Sequence, residues 1–361
     1  MDERGERSMR LVLTKRHPLP HWVQLMIPVA AIIVTLILAA IPILFAGGDL
    51  KLSYITLFKG ALGTRYNFLE TCVKACPLIL TGLAVAFAFR SKFWNIGAEG
   101  QLMAGAIMAA AIGIYAPTET PAVILLPIIL FFGFLAGGAW AFLPAFLKMR
   151  LKIDDVVTTL ILNYVMLHFM GYLLFGPMQQ PGSSWPRSAA IIENARLPIL
   201  LVRSRFHLGI LVALAMVLVI WFINEKTVFG YETKAVGVNP TAAFFGGINN
   251  TKVIFLTALI SGGLAGLAGV SEVCAIHFHL LMDVSPGYGY SGIPIAMLGR
   301  LHPVGTALSA FFFSVIIVGA QSMSRMTGVP VYIAEVIQGM ALIVMLIALL
   351  LTEYRVKVVR D

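Results

Sequence analysis

The side chains able to do chemistry are few, and they sit where polar groups are costly. Asn95, Glu99 and Gln101 lie close together inside an apolar stretch, with Gly97 and Gly100 on either side of Glu99. Asn163 with Tyr164, and separately Glu272, Gln321, Glu335 and Gln338, interrupt other apolar stretches. A charge at the centre of a bilayer-spanning helix costs about 2.5–3.5 kcal/mol by insertion scales, so such groups face protein or a water-filled path. Amides, hydroxyls and an aromatic ring suit hydrogen bonding to an uncharged polar solute. Asn95, Glu99, Gln101, Asn163, Tyr164 and Glu272 are therefore the candidate lining of a path. The competing reading of each is a buried hydrogen bond that fixes helix packing. No residue is expected to be catalytic, because the chain has no His-rich cluster, no acid pair at suitable spacing and no nucleophile motif. No metal site is expected either. His277 and His279 supply too few ligands, and three cysteines fit neither a disulfide framework nor a zinc site.

The elements that position these groups follow from composition. Of 361 residues, 12% are charged and 59% hydrophobic, and the mean hydropathy is +0.90. A soluble domain carries about 25% charged residues. So few charges cannot cover a water-facing surface, which excludes a secreted disulfide scaffold, a disordered chain and a nucleic-acid-binding domain. Apolar runs near 20 residues predict membrane spans at 22–46, 68–89, 95–115, 121–147, 156–175, 207–223, 253–276, 286–299, 303–322 and 331–351. The fold class is thus an all-α polytopic membrane protein of about ten helices. The tails are 1–21 and 353–361, and the transmembrane domain is 22–352. Gly and Pro interrupt the pattern around 286–322, where a re-entrant or broken helix is expected. With both termini cytoplasmic, 17 of the 26 basic residues fall on cytoplasmic segments and eight on the outside, as the positive-inside rule requires.

Two connections are longer than linkage needs. Gly176 to Phe206 carries Pro177, Pro181, Gly182, Pro186 and Pro198 and reads as an ordered extracytoplasmic excursion. The cytoplasmic segment 224–252 contains Gly237-Val-Asn-Pro-Thr-Ala-Ala-Phe-Phe-Gly-Gly247. Asn239 suits an N-cap and Pro240 the first helical position, while a glycine can close the helix with a left-handed cap. A short surface helix is predicted, with Phe244 and Phe245 offered to a partner's groove.

This loop resembles the coupling helix of ATP-binding-cassette importer permeases, in the branched-chain amino acid/simple sugar permease family. Phe93-Trp-Asn-Ile-Gly-Ala-Glu-Gly-Gln-Leu102 resembles that family's intramembrane motif. Asp155-Val-Val-Thr-Thr-Leu-Ile-Leu-Asn-Tyr164 is similar to the segment typical of its nucleoside-importer branch. Ile293-Pro-Ile-Ala-Met-Leu-Gly-Arg-Leu-His-Pro-Val-Gly305 resembles its late motif, with Pro294 a departure. The resemblance implies a permease subunit that moves nucleosides, or simple sugars such as ribose, inward by alternating access. It also implies ATP and Mg bound by separate ATPase subunits and no cofactor on this chain. Further partners implied are a second homologous permease and an extracytoplasmic binding protein, in a bacterial inner membrane. Gly237, Asn239, Pro240, Ala243, Phe244, Phe245 and Gly247 would couple to the ATPase. The sequence agrees in lacking any Gly-Lys pair, and hence any phosphate-cradling P-loop. An ion-coupled secondary transporter is the alternative from a different class, but it leaves the coupling loop unexplained.

Overall fold

A computed structural model of the chain describes residues 9–15 and 20–360. Arg4, Arg7 and Arg16 of the basic N-terminal tail lie outside the described residues. The bundle opens with α1 (His21–Phe45), a short α2 (Leu50–Leu62), α3 (Arg65–Arg90), α4 (Ala98–Tyr115), α5 (Ala122–Leu151) and α6 (Asp155–Leu174). After the long connection come α7 (Leu208–Lys226), α8 (Val228–Val238), α9 (Pro240–Phe245) and α10 (Asn250–Ser271). A π-helical turn, Glu272–His277, extends α10, and α11 (Tyr288–Leu298), α12 (Pro303–Thr327) and α13 (Ile333–Glu353) complete the bundle. Two terminal strands, β1 (Met9–Lys15) and β2 (Tyr354–Arg360), pair antiparallel with Met9 opposite Arg360 and Lys15 opposite Tyr354.

Among the described residues, nine helices are long and apolar enough to cross a membrane. The tenth predicted span, 286–299, is instead the 11-residue α11, about 16 Å long and too short to cross alone. The β1–β2 pairing holds both chain ends at one face. The hydropathy pattern missed α2, whose Asp49 cap accepts from the Leu52 amide, and α8, whose Thr227 cap accepts from the Gly230 amide. Both are amphipathic pieces shorter than a span. The span expected from residue 95 also begins later, because residues 91–97 are not helical.

Lipid is as apolar as leucine, so burial alone does not draw membrane helices together, and small residues at the crossings do much of the work. Helix α3 is the most enclosed, with 89% of its apolar window buried. Helix α10 lies against α3, and against α4 and α5 through glycines. A Cβ placed on Gly105 would stand 2.1 Å from the Gly266 carbonyl oxygen, and one on Gly137 would stand 2.2 Å from that of Gly262. The stretch Ser261-Gly-Gly-Leu is therefore a packing seam. The outward faces of α5, α6 and α7 carry exposed Phe131, Ile161 and Leu218, as a lipid-facing surface should.

Gly105→Val should abolish recovery of folded, monodisperse protein in mild detergent, read by size-exclusion chromatography and thermal melting. Gly339→Ala, where a Cβ meets open space, should melt within a degree or two of wild type. Equal stability of the two variants would refute the packing seam.

Candidate functional site

The break between α3 and α4 is where the predicted polar residues gather. Lys92 adopts a left-handed backbone (φ 56°), and residues 91–97 then run without helical hydrogen bonding. In a bilayer each backbone group so released must find a partner inside the protein. Helix α6 supplies partners for Trp94 and Ile96 from one stripe at i, i+4 and i+8. Asp155 Oδ2 accepts from the Trp94 amide at 2.7 Å, Thr159 Oγ1 accepts from the Ile96 amide at 3.2 Å, and Asn163 Nδ2 donates to the Ile96 carbonyl at 3.0 Å. Lys148 completes the seal, donating to the Lys92 carbonyl at 2.8 Å and to Asp155 at 2.6 Å.

Asn95 is fully buried in a reciprocal amide pair with Gln101, both bonds 2.8 Å. Its Nδ2 also donates to Ser261 Oγ at 2.9 Å, and Ser261 in turn donates to the Ala84 carbonyl at 2.7 Å. Three helices are thereby locked around one amide. Asn163 Oδ1 accepts from the Gly100 amide at 2.8 Å, and its Nδ2 lies 3.3 Å from the Tyr290 hydroxyl. Glu99 Oε2 accepts from the Gly289 amide at 2.7 Å, placing a carboxylate at the N-terminus of α11, where the helix dipole favours it. Asn95, Glu99, Gln101 and Asn163 are thus brought together, each hydrogen-bonded to protein. Tyr164 is not part of the group: it lies outside the buried stripe of α6 and is 56% exposed. Asp155, Thr159, Ser261 and Lys148 were missed as members. The i, i+4, i+8 spacing of Asp155, Thr159 and Asn163 was the available signal.

Glu272 lies apart, in the π-helical turn. Its Oε2 is 3.4 Å from His277 Nε2 and makes no hydrogen bond. Nearby, Arg205 holds Glu70 through both carboxylate oxygens, and Lys74 donates to the Tyr288 hydroxyl at 2.9 Å. The segment 176–206 covers this end of the bundle by backbone pairing. The Leu197 amide donates to the Cys274 carbonyl at 2.8 Å, the Ser188 amide to that of Leu280 at 3.0 Å, and the Ile192 amide to that of Gly113 at 2.9 Å. The first of these satisfies a carbonyl of the π turn. His207, at the start of α7, is buried, and burial together with the Arg205 charge pushes its imidazole down to about 4.

At the opposite face, Asn239 Oδ1 accepts from the Thr241 and Ala242 amides at 3.0 and 3.1 Å, and Pro240 occupies the first turn of α9. The Ile248 amide returns to the Ala243 carbonyl and the Gly247 amide to that of Phe244, with Gly247 at φ 84°. This is a Schellman stop, in which the left-handed residue is best a glycine. Ala243 is buried, while Phe244 and Phe245 are 66% and 84% exposed. Between α8 and α9 runs a groove of about 500 Å³ lined by Tyr231, Lys234, Val238 and Ala242. Gly237 lies so close to the end of α3 that a Cβ would stand 2.0 Å from the Arg90 carbonyl oxygen. Arg90 also donates to the Asn224 carbonyl at 3.0 Å. Helix α8, against which α9 packs, therefore rests directly on the end of the most enclosed helix.

Asn95→Leu should leave Gln101, Ser261 and the Gly97 amide short of partners. At about 1–3 kcal/mol for a buried unsatisfied group, the loss is enough to lower the melting temperature by several degrees, whereas Tyr164→Phe should not move it. His207 predicts a pH effect with a definite sign. Above pH 6.5 the imidazole is neutral both folded and unfolded. Between 6.5 and about 4 the unfolded chain takes the proton more readily, so stability falls as pH drops through that window. His207→Gln should flatten this fall in a pH series of detergent melts.

Comparison with known proteins agrees with this architecture. Residues 67–346 match the family described as the permease component of the branched-chain amino acid transport system. The chain is 32% identical to the glucose ABC transporter permease protein of Haloferax volcanii, over 98% of this chain and 95% of that one. It is 36% identical to a guanosine ABC transporter permease protein of Bacillus subtilis, over 90% of this chain and 93% of that one. It is 31% identical to a nucleoside ABC transporter permease protein of Lactococcus lactis, over 87% and 88%. The last two organisms each have a second matching permease chain, 30% and 26% identical. No solved structure matches the chain. Multi-pass, with its irregular segment closed by polar side chains from neighbouring helices and a capped helix at one face, this chain belongs to the branched-chain amino acid transport system permease family.

Proposed function

We propose that the chain is the membrane-spanning subunit of an ATP-driven importer that carries nucleosides, or a related small polar solute, inward by alternating access. The observation that carries the reading is the seating of α9. Its two phenylalanines are exposed on a helix capped at both ends, and its neighbour α8 bears through Gly237 on the Arg90 carbonyl of α3. A push on α9 is therefore delivered to α3, and from there through the sealed 91–97 segment to α4. Separate ATPase subunits, which bind ATP and Mg, supply that push in the cytoplasm, so the α9 face and both termini are cytoplasmic. The segment 176–206 faces outward and receives a loaded binding protein, and a second, related permease completes the translocating pair in a bacterial inner membrane. The existence of two permease chains in each of two organisms supports the pairing. The nucleoside reading is supported by the guanosine and nucleoside permease relatives. A hexose or pentose is the second reading, favoured by the relative that aligns over nearly the whole chain, a glucose permease.

Radiolabelled uptake in the source cells, with and without the gene, tests the substrate with guanosine, inosine, uridine, ribose and glucose in parallel. Gene-dependent loss of nucleoside uptake is the expected result, and loss of sugar uptake alone would move the substrate to the second reading. Deleting 239–245 should leave the chain inserted in the membrane while abolishing substrate-stimulated ATP hydrolysis. Stimulation that survives the deletion would overturn the coupling role of α9.

A further inference from the structure

Arg90, the last residue of α3, holds helix α8 near both of its ends. The Arg90 carbonyl lies so close to Gly237 that any side chain there would collide with it. The Arg90 guanidinium reaches the other end of α8. Its Nη2 donates to the Asn224 carbonyl at 3.0 Å and to the Gly230 carbonyl at 3.5 Å, and its Nη1 lies 3.4 Å from Glu225 Oε1. Asn224 is in the last turn of α7, where helix carbonyls lack intrahelical donors and the dipole favours a cation. The elbow between α7 and α8 is itself fixed. Thr227 Oγ1 donates to the Ile223 carbonyl at 2.6 Å and accepts from the Gly230 amide at 3.1 Å. From Gly230 to Gly237 is two helical turns, about 10 Å along one face of α8. The Phe87 and Phe229 rings, 6.2 Å apart, add an apolar contact across the same junction.

The two ends of this grip differ mechanically. At Gly237 backbone lies on backbone with no side chain between, and such a contact resists approach steeply and separation weakly. It carries a push. The guanidinium bonds resist separation, because parting them leaves carbonyls at the α7–α8 elbow and a mostly buried cation short of partners. They carry a pull. Alternating access needs both strokes, one when the ATPase subunits close and one when they part. We infer that Arg90 is a positioning residue that makes the α8–α3 junction a two-way linkage, drawing α3 back with α8 as well as passing the thrust forward. Arginine suits the task, since its planar fork reaches two carbonyls from one stem and its charge does not titrate. Lysine offers a single point of attachment. The inference rests on the importer reading and extends it to the return stroke.

The test uses the complete transporter in proteoliposomes, with its ATPase subunits, partner permease and binding protein, carrying wild type, Arg90→Met, Arg90→Lys or Glu225→Gln. Solute accumulated is divided by ATP hydrolysed, with guanosine or glucose used according to which the gene transports. Losing a hydrogen bond from a charged group corresponds to about tenfold or more, so solute per ATP should fall by that factor in both Arg90 variants. Glu225→Gln removes only a half-exposed ion pair and should leave the ratio unchanged. A merely structural role would lower both rates together at constant ratio, and that result overturns the inference. A second measurement reads the junction itself. Spin labels at Lys92→Cys and Lys234→Cys, in a chain with Cys72, Cys76 and Cys274 replaced by alanine, report how far α8 stands from the end of α3. That separation should be the same with and without ATP when Arg90 is present, and should widen in the nucleotide-free state in Arg90→Met. Equal behaviour of the two chains would refute the linkage. Should Arg90→Met fail to accumulate, Arg90→Lys, which keeps the charge, is read the same way. If wild-type ATP hydrolysis moves neither solute, the importer reading falls and the linkage with it. A coupled wild type with equally coupled Arg90 variants refutes the linkage alone.

Discussion

A bilayer offers no water to a peptide group, and the organisation of this bundle follows from meeting that demand where the helices stop. Between α3 and α4 the chain crosses residues 91–97 without regular structure. Backbone groups of Lys92, Trp94 and Ile96 are matched by side chains from elsewhere: Asp155, Thr159 and Asn163 from α6, and Lys148 from α5. Asn95 and Gln101 then close the turn on themselves and pin it to α10 through Ser261. The polar residues that hydropathy marks as anomalies are largely the cost of breaking a helix inside the membrane.

Those same bonds give the break a mechanical meaning. Arg90 ends α3 against α7 and α8, and the irregular segment begins immediately after it. Glu99, one turn into α4, holds the amide of Gly289 at the start of α11. The surface helix α9, its neighbour α8, the core helix α3, the broken segment, α4 and the half-length helix form a chain of contacting neighbours.

Much of this was legible before any coordinates. Apolar runs located the nine long helices because span length and hydropathy are properties of single segments. The Asn-Pro start and Gly-Gly end of α9 were readable for a similar reason, since caps are local chemistry. The short helices α2 and α8 escaped because neither is long enough to register as a span, and both are fixed by neighbours far away in sequence. The site was half legible. Asn95, Glu99, Gln101 and Asn163 stood out by polarity, but polarity does not say whether a group faces a partner or a path. Tyr164 adjoins Asn163 in sequence, and one residue of helical rotation carries it out of the buried stripe. Lys74 has its partner Tyr288 214 positions away, beyond the reach of any local pattern.

The glycine seam has a further consequence. Where α10 crosses α4 and α5, backbone lies against backbone at Gly105, Gly137, Gly262 and Gly266. Packed helices ordinarily slide past one another by side chains changing rotamer, and here that lubricating layer is missing. The three helices therefore form one stiff strut on which shear is blocked. Any change of shape in the bundle has to pivot around this strut.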